Sequence, residues 1–287
     1  MPEIQPTGAN PLKKYFRQPK IYLTLPSGGK HYPEGVLEVT ENNEYPVFPM
    51  TARDELTMKT PDALLNGQAT VDMIQSCVPN IKDAWKIPSL DLDAILIAVR
   101  IATYGETMDL NIKTPVTGEE KTYTVDLRVM LDDIISKQFD DTFEMENLRI
   151  HIRPLTYREF TDTSLKTFEE QRIFALVNNQ EIAEEEKLQR FNESFKKLTD
   201  ITVSTLRNSI WKIEAGEDVV ENPAFIDEFV SNAEKGLFKS LTDHLEVQRE
   251  KFKTKPIVLD ATPEEIEKGV PETYEIPVTF DQTNFFG

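Results

Sequence analysis

Pro88-Ser-Leu-Asp-Leu-Asp-Ala-Ile-Leu-Ile-Ala-Val-Arg-Ile-Ala-Thr-Tyr-Gly105 is the stretch from which the fold is read. Ser89 or Asp91 supplies an N-cap and Gly105 a C-terminal stop, so the spacing predicts a helix over 90–104. Its apolar residues are Leu92, Ala94, Ile95, Leu96, Ile97, Ala98, Val99, Ile101 and Ala102. They cover nearly the whole circumference rather than one stripe, the pattern of a helix buried on all sides. About fourteen residues with Arg100 inside is too short and too charged for a bilayer span, which takes roughly 20. Arg100 has to reach an acid, a carbonyl or water, and a structural pairing is expected. The flanking chain should therefore wrap this central helix.

Upstream, Ile21-Tyr-Leu-Thr-Leu25 alternates as a short strand, and Pro26-Ser-Gly-Gly29 follows as a hairpin turn. A phosphate-loop reading of Gly28-Gly29-Lys30 fails, because the longer glycine-spaced motif is absent. Val36-Leu-Glu-Val39 reads as a second strand and Glu44-Tyr-Pro-Val-Phe-Pro49 as an edge or extended connector, since Pro46 cannot donate. Thr51 caps a helix, Thr60-Pro61-Asp62 restarts one that stops at Asn66-Gly67, and Gln68 to Val78 forms another. Trp85 is expected to pack on the central helix.

Downstream, the period switches to two. Met108, Leu110 and Ile112 on one arm and Tyr123, Val125 and Leu127 on the other predict a hairpin over 107–126, with Pro115-Val-Thr-Gly118 at its tip. Pro115 and Gly118 are its structural turn residues. Leu127 to Ile135 is an amphipathic helix, and residues 143–153 read as a second hairpin. Its second arm turns Leu148, Ile150 and Ile152 inward and Arg149, His151 and Arg153 outward. That basic row is either a solvated strand face or a contact for an acidic partner.

Pro154 opens the second half. Thr156-Tyr-Arg-Glu159 is a capping box at the head of a long helix through Phe160, Phe168, Phe174 and Val177. Residues 181–199 form the next, with Leu188, Phe191, Phe195 and Leu198 spaced three, four and three. That stripe suits antiparallel packing within a bundle, with a partner helix as the alternative. Residues 199–213 read as a third helix, Asn222-Pro223 caps a fourth that stops at Gly236, and residues 237–252 form a fifth. Beyond Lys253 the chain is extended, apart from a capped turn at Thr262-Pro-Glu-Glu-Ile-Glu267, and Tyr274 to Phe280 alternates as a strand.

The fold class is thus α+β and mostly helical. It comprises a basic irregular arm (1–20), an α+β core domain around the central helix (21–154), a helical bundle (155–252) and an acidic extended C-terminal tail (253–287). In the arm Lys13, Lys14, Arg17 and Lys20 stand against Glu3, a net of +3, whereas residues 260–287 carry a net of −6. Both ends are read as assembly contacts, with Lys13, Lys14, Arg17, Arg149 and Arg153 as cations for a partner. Tyr274, Ile276, Val278, Phe280, Phe285 and Phe286 are the corresponding tail residues, because exposed phenylalanines are costly unless docked. Removing residues 274–287 is expected to leave a folded domain.

A net charge of −18 argues against nucleic-acid binding, whose footprint is a basic face. Cys77 is alone, so neither an intrachain disulfide nor a Cys-based zinc site can form, and a reducing compartment such as a cytoplasm is indicated. His31, His151 and His244 lack metal-type spacing. Hydrolase elbows, Rossmann glycines and kinase motifs are absent, and the acid pairs are what 50 acids produce by chance. No cofactor and no membrane span are expected, and the residues point to a non-enzymatic structural or adaptor protein.

Several phrases occur in a telling order: Val47-Phe-Pro-Met-Thr-Ala-Arg-Asp-Glu55, Thr60-Pro-Asp-Ala-Leu-Leu-Asn-Gly67, Cys77-Val-Pro79, Ile95 to Gly105, and Val278-Thr-Phe-Asp-Gln-Thr-Asn-Phe-Phe286. Together they resemble the baseplate hub and hub-assembly proteins of T4-type contractile-tailed bacteriophages, most closely over about residues 45–155. The resemblance implies a structural component of the tail baseplate hub, assembled in the host cytoplasm and docked on other tail proteins. The alternative it allows is a tail assembly chaperone that shields a hub or tape-measure protein and then leaves. Members of that family carry Cys-Pro-x-Cys at the hairpin tip, as in a zinc knuckle. Here the place reads Thr114-Pro-Val-Thr117, so a metal-free hairpin is expected.

Overall fold

A computed structural model describes residues 10–59, 67–179 and 184–278. The helix expected to restart at Thr60 lies outside them. The central helix is α3, Ser89–Tyr104, and Ala94, Ile95, Ile97, Ala98 and Val99 on it are fully buried. Its cover comes from both sides of the sequence: strands β1 (Ile21–Thr24) and β2 (Glu44–Val47) and helix α2 (Gln68–Cys77) before it, helices α4 (Leu127–Ile135) and α5 (Tyr157–Asn179) after it. Short helix α1 (Ala52–Met58), with a Thr51–Asp54 capping box, packs on α2.

Gly105 ends α3 as expected, with φ 100° and its N–H donating to Ile101 O at 2.9 Å. The start differs. Neither Ser89 nor Asp91 caps it; Pro88 occupies the N-cap without a side-chain bond. Asp91 instead points inward, fully buried, and accepts from Ser27 N–H (2.7 Å), Ser27 Oγ (2.6 Å) and Tyr32 OH (2.8 Å). Three donors from one loop outweigh a cap, because the loop has no sheet to satisfy its polar groups.

The β1–β2 pair is antiparallel, with Ile21 opposite Val47 and Thr24 opposite Glu44. The turn at Gly28 and Gly29, both at positive φ, opens a long connection rather than a tight hairpin. Val36–Val39 makes no strand, only a bridge between Leu37 and Ile81, with the Glu38 N–H donating to Asn80 O (2.9 Å) and the Lys82 N–H to Val36 O (2.8 Å). Strands β3 (Thr107–Lys113) and β4 (Glu120–Asp126) form the expected hairpin, from Thr107 opposite Asp126 to Lys113 opposite Glu120. At its tip the Gly118 N–H donates to Thr114 O (2.9 Å) and the Thr114 N–H to Glu119 O (2.9 Å). Pro115 sits within that turn, and Gly118 supplies the positive φ that its closure requires.

A second core surrounds Ile150, Ile152, Leu206, Ile210, Ile213, Ile226, Val230 and Leu241. Here the structure corrects the expected third helix. Helix α6 runs unbroken over Glu184–Ser209, and residues 210–215 are strand β7 (Ile210–Ala215). Ile210 and Ile213, three apart, fit helical spacing, but the open edge of β6 (Leu148–Ile152) decides for a strand, pairing Ile150 with Ile213 and Arg149 with Glu214, and a register shift between His151 and Ile152 lets both isoleucines enter the second core. With β5 (Thr142–Met145) and β8 (Asp218–Val220) the result is a four-stranded antiparallel sheet, order β5-β6-β7-β8. The stretch 155–252 is therefore not purely helical. Helix α7 (Pro223–Asn232), capped by Asn222, ends before Gly236, which sits in the first turn of α8 (Lys235–Lys251).

The described part of the tail, residues 253–278, packs on this chain. Strand β9 (Ile257–Asp260) pairs with β10 (Thr273–Ile276), and helix α9 (Pro263–Glu267) lies between them. Lys121 on the β3–β4 hairpin donates to Glu265 at 2.6 Å, and Lys268 reaches Glu119 at 2.8 Å. The Lys121 ammonium, with donors from Thr262, holds the Glu265 carboxyl down at about 2.

Candidate docking surfaces

Helices α5 and α6, 23 and 26 residues long, run antiparallel as a pair, each about 35–39 Å at 1.5 Å per residue. Only the head of α5 is anchored elsewhere. Trp85 stacks on Tyr157 with centroids 5.4 Å apart, and the Arg158 guanidinium lies 3.6 Å over the indole. Trp85 thus packs at the start of α5, where the expectation placed it on the central helix. Along the pair, Lys197 donates to Glu170 at 2.9 Å, and Ser194 is buried in the contact row.

The stripe read on α6 is split. Phe191 and Leu198 are half-buried, whereas Leu188 and Phe195, seven residues apart on one face, are 64% and 66% exposed. Packing within the bundle accounts for half of the stripe and leaves the rest open. Phe168 on α5 is also largely exposed. A single turn later or earlier the same residue types are covered, so their spacing carried no signal of which half would be free.

An apolar cleft of about 330 Å³ lies between α3, α5, α6 and α8. Leu90, Leu92, Phe139, Phe160, Leu206 and Phe252 line it, and Arg153, Arg249 and Lys253 stand among its polar residues. Asp93 on its wall accepts from the Thr254 N–H at 3.3 Å, and burial pushes its carboxyl up to about 6. Sequence reasoning missed this cleft, since its lining comes from helices distant along the chain.

Of the expected partner cations, Lys13 and Lys14 are exposed on a short 3-10 helix (Pro11–Tyr15) beside exposed Leu12, Tyr15 and Phe16. Arg17 turns inward and clamps the first core, donating to Pro49 O (2.7 Å), Ser76 O (2.6 Å) and Ser76 Oγ (2.9 Å), with Asp54 at 3.4 Å. The outward row of β6 is paired within the chain. Arg149 meets Glu144 (2.7 Å) and Glu214 (3.7 Å), His151 meets Glu214 (3.0 Å), and Arg153 holds Glu159 through both terminal nitrogens at 2.9 and 2.8 Å. Such matched rows have little charge left for a partner.

In the tail, Tyr274 is half-buried, Ile276 and Val278 are each 8% exposed, and Val278 belongs to the first core. A cut at residue 274 therefore removes two buried residues. Phe280, Phe285 and Phe286 lie outside the described residues. Arg100 lies 4.5 Å from the Tyr104 ring, and its Nε and Nη1 are buried without a hydrogen-bond partner. Its pairing is with an aromatic face in place of an acid, and burial lowers its pKa.

Among the described residues no group of three or more His, Cys, Asp or Glu could hold a metal ion. No described helix is long and apolar enough to cross a membrane. Cys77 is buried, and desolvation pushes its thiol up to about 12, which leaves it unreactive at neutral pH. Large apolar side chains are exposed on α5, α6 and the arm of this α+β chain. Residues 18–256 match the family described as T4 bacteriophage base plate protein, and the chain belongs to that family. No curated protein and no solved structure matches it. Other phage tail proteins are accordingly its partners, and the baseplate of the virion tail is its place.

Proposed function

We propose that this protein is a non-enzymatic structural component of the baseplate hub or of its assembly, and that it docks through the free face of the α5–α6 pair. Family membership supplies the baseplate context. The observation that carries the docking reading is Leu188 and Phe195, two large apolar residues on one face of α6 left about two-thirds exposed. A baseplate partner that laid a helix or an apolar ridge along that face would remove both from water, at about 25 cal/mol per Å² of apolar surface buried. Lys13, Lys14, Tyr15 and Phe16 form a second, basic and aromatic contact of the kind enriched at interfaces.

Quantitative mass measurement on purified virions tests this. The expected result is the wild-type chain at a fixed copy number per particle, and its loss from particles when Leu188→Ser and Phe195→Ser are combined. A chain absent from virions but bound to an unassembled tail protein supports the assembly-chaperone reading, which the apolar cleft also suits. Unchanged incorporation of the double variant removes the α6 face as the dock.

A further inference from the structure

The cover over α3 is thinnest along one edge. Ser89, Leu92, Asp93, Arg100, Thr103 and Tyr104 keep part of their surface. At 3.6 residues per turn they all fall within about 120° of the helix circumference. Ser89, Leu92 and Asp93 border the apolar cleft, and Arg100 stands toward the other end. There a polar requirement is unmet. The Arg100 Nε and Nη1 are buried without a hydrogen-bond partner, and Nη2, the nitrogen that reaches solvent, has none among the described residues. The guanidinium lies 4.5 Å from the Tyr104 ring. A ring face offsets part of the charge and leaves the donors in the guanidinium plane unmatched.

Other arginines do not share this condition. Arg17, Arg149, Arg153 and Arg207 each reach a carboxylate or carbonyl of their own chain. Unmatched buried donors cost stability, and the planar fork is met best by a carboxylate. The surroundings favour one arriving from outside. Helix α1 adjoins this end of α3, with the Met50 N–H donating to Thr103 Oγ1 at 3.0 Å and Glu55 hydrogen-bonded to Tyr104. Glu55 is thus engaged, and Lys59, one turn on, is exposed and forms no ion pair with a described residue. Leu56 and Tyr104 are exposed apolar surface beside these cations, the mixture of aromatic, apolar and arginine groups enriched at interfaces.

We propose that Arg100 anchors an interface in which a neighbouring protein inserts an aspartate or glutamate side chain. Its carboxylate enters at Nη2 and accepts from the guanidinium, while Tyr104 and Leu56 cover the contact. Two chains of net charge −18 repel each other, so the carboxylate is assigned to a different protein and not to a second copy. The inference rests on the baseplate reading only for the partner being another tail protein, and it leaves the α6 face as a separate contact.

The test pairs stability with incorporation, because a structural and a docking arginine move them in opposite ways. Thermal melts of the purified full chain are run for wild type and Arg100→Met. Each of Arg100→Met, Arg100→Lys and Arg149→Met is then co-expressed with wild type during infection, and the ratio in purified virions is read by mass measurement. Arg100→Met should melt at or above wild type, since it removes unmatched donors and keeps the apolar stem. It should also be several-fold under-represented in particles, with Arg100→Lys intermediate and Arg149→Met equal to wild type. A midpoint several degrees below wild type would assign Arg100 to internal packing and overturn the proposal. Equal incorporation of Arg100→Met overturns it as well, and so does an equal loss for Arg149→Met, which would make charge in general the cause. A wild-type chain that is dimeric in solution and monomeric as Arg100→Met would make a second copy the occupant and reject the assigned partner. Absence of the wild-type chain from virions counts against the hub reading alone, and the same ratios are then read on chain captured by the unassembled tail protein.

Discussion

Helices α3 and α6 both carry apolar residues at helical spacing, yet one is covered on every side and the other along only part of its stripe. On α3 even Asp91 is fully buried, and Ile95 and Ile97 have no exposed surface. On α6, Phe191 and Leu198 are half-buried while Leu188 and Phe195 face outward. The contrast lies in the neighbours. Strands and helices from both sides of the sequence close over α3, whereas α6 has α5 along most of its length and meets the second core only near Leu206. Periodicity tells which residues can share a face, and the number of covering elements decides whether that face is dry.

Truncation inside α3 should cost most. Ile95→Ala is expected to lower unfolding free energy by about 2–5 kcal/mol, the range for emptying a fully packed site. Denaturant melts would read this directly, and a loss below about 1 kcal/mol would remove α3 as the hub of the first core. Asp91→Ala comes next, on the order of 2–3 kcal/mol, because Ser27 and Tyr32 lose their buried acceptor. Loop protection by hydrogen exchange over residues 26–32 should fall with it.

The two carboxyls of α3 also predict a pH dependence. Burial raises Asp91 and Asp93 from 3.8 to about 6, so the folded chain holds protons that the unfolded chain has released. Their favourable contribution is complete below pH 3.8 and is lost as pH rises through about 6. Asp93→Asn should flatten the fall in denaturant midpoint across that window, and a profile parallel to wild type would contradict the assignment. Glu265 acts in the opposite sense: held at about 2, its contribution fades as pH drops from 4.5 toward 2.

The smallest effect on stability belongs to α6. Leu188→Ser and Phe195→Ser should each stay within about 0.5 kcal/mol of wild type, as exposed sites do. Thermal melts of the purified chain check this, and together with the virion measurement they separate a docking face from a packing face. A loss near that of Ile95→Ala would show that α6 is covered after all and erase the contrast with α3.

Much of this fold was legible because its signals are local. Gly105 as a stop, the β3–β4 hairpin, the capped turn at Thr262 and the all-round apolar character of α3 depend on residues close in sequence. The docking surfaces were less so. Lys13 and Lys14 are exposed as expected, but Arg17, Arg149 and Arg153 found acceptors within the chain, in Ser76, Glu214 and Glu159. A cation's freedom depends on what the fold brings within a few ångströms of it, and spacing along the chain is silent on that.

The β7 strand shows the same division. Ile210 and Ile213 are three apart and read as helix; the waiting edge of β6 turned them into a strand, since ladder hydrogen bonds and cross-strand pairs outweigh a short stretch of propensity. Residue order alone thus settled which segments are apolar and that α3 stops at Gly105. Which apolar faces stay open, which charges are already matched, and where the cleft lies were settled by long-range packing. Burial is a property of what surrounds a residue, and those surroundings come from segments as far apart as Asp93 and Thr254.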